Sequence, residues 1–372
     1  MEPTLTVVGA GYAGLMALGR LRMHCPDAHI RVVEPRTRFV ERIHLHEVAA
    51  GVPPRELALA ELFESLSVEH VPRRVARVRG TTVTLDDGSE LASDGLILAL
   101  GSRTRPPPGP AHVLDDVETA RALFEALKAA PEARVTIVGS GTTALEVATE
   151  LAVRFPDARL RLWRAEPTWP WSERAGRSVD ARLASLGIAV IDGGRVLGLD
   201  AGAAWSASHR EEHDLAVWCA GFEPAPVDLP GVRTRDGRLA VDPFLALSEG
   251  VFAAGDLCVP PQEHRAGCVT ALPTGAHAAA NLAAWVEGRP LEPFAFRDLI
   301  ACVALGGNHG LLQPLAADGP MTQVLGGLPG GAVKRGILQY VRAILALERA
   351  LGRPVYRWPR SARALEAVEG AA

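Results

Sequence analysis

No Cys-x-x-Cys pair occurs in the 372 residues, and the five cysteines (Cys25, Cys219, Cys258, Cys268, Cys302) are scattered. That pattern excludes a zinc knuckle and a local redox dithiol, so no metal site is expected, and it suits a reducing cytoplasm. A basic excess is also missing. The formal net charge is −4 and the pI is near 6.3, which gives no general electrostatic pull toward nucleic acid. No apolar run reaches the ~18 residues of a membrane span. No signal or transit sequence is expected either, because the first motif begins a few residues after Met1.

What is present is an ordinary globular composition, 48% hydrophobic and 22% charged, on a length that suits two or three domains. A β-branched run, Thr6-Val7-Val8, meets Gly9-x-Gly11-x-x-Gly14 and then a helix-forming stretch. Gly9 permits a tight turn, Gly11 lets the backbone approach a pyrophosphate, and Gly14 lets the helix pack closely on the strand. The next strand, His29–Val33, ends at Glu34, where an acid takes ribose hydroxyls. Beyond it, Pro35, Arg36, Arg38 and Arg42 belong to a basic, aromatic connection suited to running beside a ligand, where arginines meet phosphates.

Short strands follow at Val75–Arg79, Thr81–Leu85 and Glu90–Leu91, then a buried strand that passes Ala99 and ends at Gly101. The proline-rich segment Pro106–Pro110 is a natural boundary. The pattern then repeats. A strand at Arg134–Val138 leads into Gly139-Ser140-Gly141-Thr142-Thr143-Ala144-Leu145-Glu146 and a helix. The position matching Glu34 is Arg164, which suits a 2′-phosphate, so NADPH is favoured over NADH. Leu215–Gly221 mirrors the strand that ends at Gly101.

A third signature is Gly250–Asp256, a buried strand running into Gly255-Asp256. The glycine brings the backbone near a ligand, and the aspartate accepts hydrogen bonds from a polyol chain. An alanine-rich helix, begun by Pro273 and Thr274, is expected next, with its positive end toward the same ligand.

Together these stretches resemble the FAD-dependent pyridine-nucleotide oxidoreductases of the two-dinucleotide-domain type. The chain is most similar to their type II NADH dehydrogenase, ferroptosis-suppressor and apoptosis-inducing-factor-like branch. His46-Glu47-Val48-Ala49-Ala50-Gly51 is similar to a flavin-side segment of that branch. The resemblance covers about residues 4–290 and implies an α/β fold. It implies two Rossmann-like dinucleotide-binding domains, one for FAD and one for NAD(P)H, the second inserted in the first. A small C-terminal α+β region completes the chain. The expected divisions are 1–108, 109–224, 225–290 and 291–372. FAD is implied at Gly9, Gly11, Tyr12, Ala13, Gly14, Glu34, Pro35, Arg36, Arg42, Val75, Ala99, Gly101, Gly255, Asp256, Ala271 and Leu272. NADPH or NADH is implied at Gly139, Gly141, Thr142, Arg164 and Gly221. Glu146 matches the family glutamate near flavin and nicotinamide. The disulfide reductases of the wider family carry a cysteine pair after the first helix, where this chain has His44 and His46. Dithiol chemistry is therefore not expected.

In the tail, Gly306-Gly307-Asn308-His309-Gly310 is a glycine-rich turn with one titratable side chain, His309. Ala332–Leu351 reads as a helix with Ile337, Tyr340, Val341, Ile344, Leu347 and Leu351 on one face. Residues 332–360 are basic, which suits either a solvated rim on a core-facing helix or peripheral contact with the inner face of a membrane. The reading is an enzyme that passes hydride from NAD(P)H to flavin N5 and electrons to a quinone or quinone-like aromatic, with Glu146, His46 and His309 as catalytic candidates. Two other classes stay open. One is a flavoenzyme of small-molecule biosynthesis with a dedicated substrate, with or without oxygen. The other is a flavin-bearing binding or signalling protein with little turnover. The acceptor's identity and the oligomeric state are not legible.

Overall fold

The computed structural model describes residues 2–55, 57–166, 169–261, 265–316 and 319–360, so the expected 291–372 region is described as far as residue 360. Apolar, β-branched runs form the strands of a six-stranded sheet. Its order is Ala246–Ser248, Val251–Ala253, Gly95–Leu98, Thr4–Val8, His29–Val33, Val68–Val71. All neighbours are parallel except the first pair. Parallel strands are covered on both faces, which is why Gly95–Leu98 is buried throughout.

Two strands of this sheet come from beyond residue 245, after the chain has left it and returned. In between, a second sheet forms from Ala189–Asp192, Arg159–Arg164, Arg134–Val138 and Leu215–Trp218, all parallel. One α/β unit is thus inserted in the other, as the resemblance implies. The outgoing and returning crossings pair with each other, Ser102–Thr104 running antiparallel to Phe222–Pro224. Arg42 fastens this crossing. Its guanidinium bonds the Ser102 carbonyl and Asp115 Oδ1 and lies 5.2 Å from the Phe222 ring centre.

The tail touches both units. Strands Ile300–Ala304 and Gly310–Ala316 pair antiparallel, and Val303, Leu305 and Leu311 enter the core of the inserted unit. The terminal helix, Gly327–Leu351, packs Val341 and Ile344 with Met16 and Leu272 of the first unit. It begins five residues before the expected start, and its buried face differs from the expected one. Leu338, Val341, Ile344 and Glu348 point inward, whereas Tyr340, Leu347 and Leu351 are 50%, 46% and 47% exposed. Glu348 is buried. Its carboxylate accepts from Arg20 Nε (2.7 Å) and Nη2 (2.5 Å) and from the Val355 and Tyr356 amides (2.8 and 2.6 Å). Among the described residues no helix is long and apolar enough to cross a membrane.

Candidate functional site

The two glycine turns are built alike. Gly9 has φ +97°, and a Cβ there would lie 2.5 Å from the Ala99 carbonyl oxygen. Gly139 has φ +144°, and a Cβ there would lie 2.6 Å from the Cys219 carbonyl oxygen. Ala99 thus borders the first turn and Cys219 the second, while the Gly101 and Gly221 carbonyls accept from the Ala225 and Arg105 amides in the two crossings. Gly11 and Gly141 open the helices Tyr12–His24 and Thr142–Arg154. Neither helix has a side-chain cap or an acid in its first turn, and the space beside each of these glycines is open. Two other helices, Val117–Ala129 and Glu173–Ser185, do carry side-chain caps, as where Asp116 accepts from the Thr119 amide at 2.8 Å. Two uncapped N-termini, each with free first-turn N–H groups and a positive dipole end, fit the diphosphate of a dinucleotide.

Glu34 is 2% exposed, and its carboxylate accepts from the Ala10 amide (2.8 Å) and from Arg36 Nε (2.8 Å). Burial alone would raise its pKa. Arg36 and the Ala10 amide outweigh that and hold it below the usual carboxylate range. Pro35, between Glu34 and Arg36, is exposed. The Tyr12 ring packs edge-on to Phe39 at 5.0 Å, and its hydroxyl is buried without a partner. Val75 begins a small antiparallel sheet and packs against the first core.

The third signature forms as expected up to its helix. Asp256 Oδ1 accepts from the Gly267 amide (2.7 Å), and Oδ2 accepts from the Ser102 hydroxyl (2.9 Å). The helix, however, starts at Cys268 and runs to Val286, with Pro273 inside it. A proline in a helix removes one N–H, here the donor for the Val269 carbonyl. Thr274 makes its own bonds around this gap. Its hydroxyl donates to the Thr270 carbonyl (2.7 Å) and accepts from the Gly255 amide (2.9 Å). The positive helix end therefore lies at Cys268–Thr270 beside Asp256, with Ala271 and Leu272 buried next in the helix. Ala13 meets this helix backbone to backbone. A Cβ at Gly275 would lie 2.2 Å from the Ala13 carbonyl oxygen.

Four chain segments converge on Glu146, which is 8% exposed. Its Oε1 accepts from the Ala304 amide (3.0 Å) and lies 3.1 Å from Lys334 Nζ, while Oε2 is 3.7 Å from His46 Nδ1. Burial would neutralise the carboxylate, but Lys334, together with the bond from the Ala304 amide, offsets it and keeps its pKa low. Burial would likewise lower Lys334, and Glu146 reverses this, raising it. Burial does win at His46, whose pKa is lowered and whose Nε2 has no partner. One turn beyond Glu146, Glu150 is pushed up to about 7 by burial and by Glu47 and Glu146, with Arg182 opposing. Beside them, His44 Nδ1 lies 2.9 Å from Glu47 Oε2. A buried ion pair next to a neutral imidazole can hold and hand on a proton.

Lys334 was missed in the sequence, where it counted only as one of the tail's basic residues. Two signals for it exist. The chain has only two lysines, Lys128 and Lys334. Lys334 also stands four and seven residues before Leu338 and Val341, on the inward face. His309 is not brought to this cluster: its Nδ1 lies 3.0 Å from the Gly307 carbonyl of its own turn. Arg164 bonds Asp192 of the neighbouring strand and lies 4.8 Å from the Trp169 ring centre. Trp169, in an unusual Trp-Pro-Trp run, is 7% exposed and belongs to the core of the inserted unit. Burial pushes the Cys258 and Cys268 thiols up to about 12 and about 11, which suits structural thiols.

A separate cavity of about 410 Å³ lies between the first helix and the terminal helix. Leu15, Met16, Leu62 and Leu345 line it, and Glu41 and Arg342 stand at its wall, paired at 3.1 Å.

Residues 3–281 match the family described as pyridine nucleotide-disulphide oxidoreductase. NADH dehydrogenase-like protein MT1860 of Mycobacterium tuberculosis (strain CDC 1551 / Oshkosh) is 27% identical over 326 residues, covering 77% of this chain and 82% of that protein. Demethylphylloquinone reductase NdbB of Synechocystis sp. is 28% identical over 356 residues, covering 84% and 87%. The structure of NDH2 from Plasmodium falciparum in complex with NADH superposes with a TM-score of 0.79 at 12% identity, covering 96% of this chain and 100% of that one.

Proposed function

We propose that this chain, which belongs to the pyridine nucleotide-disulphide oxidoreductase family, reduces a quinone-like aromatic acceptor at the expense of NAD(P)H. It is an NAD(P)H-dependent flavoprotein oxidoreductase, and FAD and NAD(P)H are its cofactors. Bound FAD supplies the chemistry that accepts hydride and releases electrons singly or in pairs.

In this reading the chain's own residues do the following. The Gly9–Gly14 turn and Glu34 hold the adenosine diphosphate half of FAD, and Asp256 with the Cys268 helix end holds its middle and ring end. The Gly139–Thr142 turn holds the diphosphate of NAD(P)H. Glu146 Oε1, ionised, keeps Lys334 Nζ charged at the junction of the two units. His46 Nε2, neutral and unpartnered, takes up and returns a proton as the acceptor gains electrons. The observation that carries the reading is this cluster: a buried Glu–Lys pair beside a buried imidazole with one bare nitrogen. A quinone needs two protons along with two electrons, whereas a one-electron protein acceptor takes an electron and no proton.

Two further features support an apolar acceptor. The cavity between the first and terminal helices begins at Gln339, about 7.5 Å along the helix from Lys334. Its leucine-rich wall suits a hydrocarbon body. The exposed Tyr340, Leu347 and Leu351, flanked by Arg335, Arg342 and Arg349, suit peripheral contact with an anionic membrane that holds such a molecule. NdbB, named as a demethylphylloquinone reductase, is among the relatives.

The test is anaerobic. NADH or NADPH should bleach the flavin within seconds, and short-chain quinones should then reoxidise it faster than dioxygen or a ferredoxin does. Reoxidation by dioxygen alone, or no reoxidation by any quinone, would remove the quinone from the proposal.

A further inference from the structure

The chain contains its own control for nucleotide recognition, because the same turn occurs twice. In the first unit the residue ending the second strand is an acid, and its carboxylate returns to the turn at the Ala10 amide (2.8 Å). In the second unit the equivalent residue, Arg164, makes no such return. Its Nε bonds Asp192 Oδ1, its Nη2 lies 3.3 Å from Asp192 Oδ2, and its guanidinium covers the Trp169 ring at 4.8 Å. Arg164 is 9% exposed, whereas the Asp192 side chain is 53% exposed. The two are register partners at the ends of adjacent strands.

Resting on the reading that this turn holds NAD(P)H, we propose that Asp192, not Arg164, reads the adenosine ribose there, and that the site selects NADH over NADPH. The argument is one of charge. A 2′-phosphate needs a free cation. Here the cation is spent in a two-point pair with a carboxylate and packed against an indole. The group left facing solvent is anionic, and an anion accepts from a ribose diol but repels a phosphate. Arg161, on the same strand, is also paired, with Glu211. Arg195, exposed three residues past Asp192, and Arg105, exposed and 3.9 Å from where a Cβ at Gly221 would lie, are further cations the test must address.

The FAD-loaded protein is titrated with NAD⁺ and NADP⁺ by calorimetry, and flavin reduction by NADH and NADPH is followed in parallel. Wild-type protein should bind NAD⁺ at least about tenfold more tightly than NADP⁺. Asp192→Asn removes the acceptor's charge and frees Arg164, so it should shift that ratio about tenfold toward NADP⁺. Arg164→Ala, Arg195→Ala and Arg105→Ala should leave the wild-type preference in place. Tighter NADP⁺ binding by wild type, or selective loss of NADP⁺ binding in Arg164→Ala, Arg195→Ala or Arg105→Ala, would overturn the inference. An unchanged ratio in Asp192→Asn would do the same. If neither nucleotide binds and neither reduces the flavin, the nucleotide-site reading itself fails, a result distinct from an altered preference.

Discussion

Lys334 brings a compact charge on a flexible stem into a site otherwise built from fixed backbone and short side chains. Replacing it with methionine keeps the stem and removes the charge. Glu146 is then left buried without its cation, which costs about 3 kcal/mol. Denaturant titration should record that loss. Flavin reduction by NAD(P)H should stay near the wild-type rate, while reoxidation by quinone should slow about tenfold or more. Equal slowing of both half-reactions would count against the assigned role. Glu150 makes a pH prediction. Its pKa in the folded protein is about 7, raised from an ordinary 4.5, so the folded state binds this proton more tightly than the unfolded state. The stabilisation is complete below about pH 4.5 and is lost as pH rises through 7, on the order of 1–3 kcal/mol. Glu150→Gln should remove that loss, so its melting temperature relative to wild type should rise by about 3 °C or more between pH 5 and pH 8. Glu34 and the glycines of both turns were legible because their signals are local in sequence. Lys334 and Glu150 were not, because their states depend on distant segments meeting in one interior: Lys334 on Glu146, 188 residues away, and Glu150 on Glu47, 103 residues away.

Two helices show where local rules stop. Pro273-Thr274 reads as a helix start because proline suits the first turn. The helix instead begins at Cys268, since Gly267 turns the chain there at φ +147° and Thr274 bonds across the gap. The terminal helix was expected to bury a stripe of apolar side chains. It gives up part of that stripe to solvent and buries Glu348, because Arg20 waits opposite. A charge pair across 328 positions has no sequence signature. Glu348→Gln would keep the acceptor for the Val355 and Tyr356 amides but leave Arg20 buried and unpaired. The expected cost is about 3–5 kcal/mol, read by denaturation, with faster amide exchange along residues 338–351. Exchange unchanged from wild type would show that apolar packing alone holds the helix.

At the scale of the whole molecule, the nesting of one sheet within another followed from the order of the motifs alone, as did the geometry of both glycine turns. The tail's part did not. It joins both units, by Val303 and Leu311 to the inserted core and by Ile344 to the first. A chain ending at residue 297 should therefore unfold in two separated steps, whereas wild type should unfold in one. Far-UV dichroism and flavin fluorescence, recorded on the same sample, would separate the cases, and coincident curves for the shortened chain would refute the stitching. Near-absence of lysine has a practical consequence. An amine-selective reagent finds three targets: the chain's first amino group, Lys128, whose side chain is 65% exposed, and Lys334, whose side chain is 13% exposed. Lys128 labels at once and serves as the internal standard. Mass spectrometry at Lys334 then counts, residue-specifically and without any engineered probe, how often the tail lifts from the protein and how far each cofactor slows it.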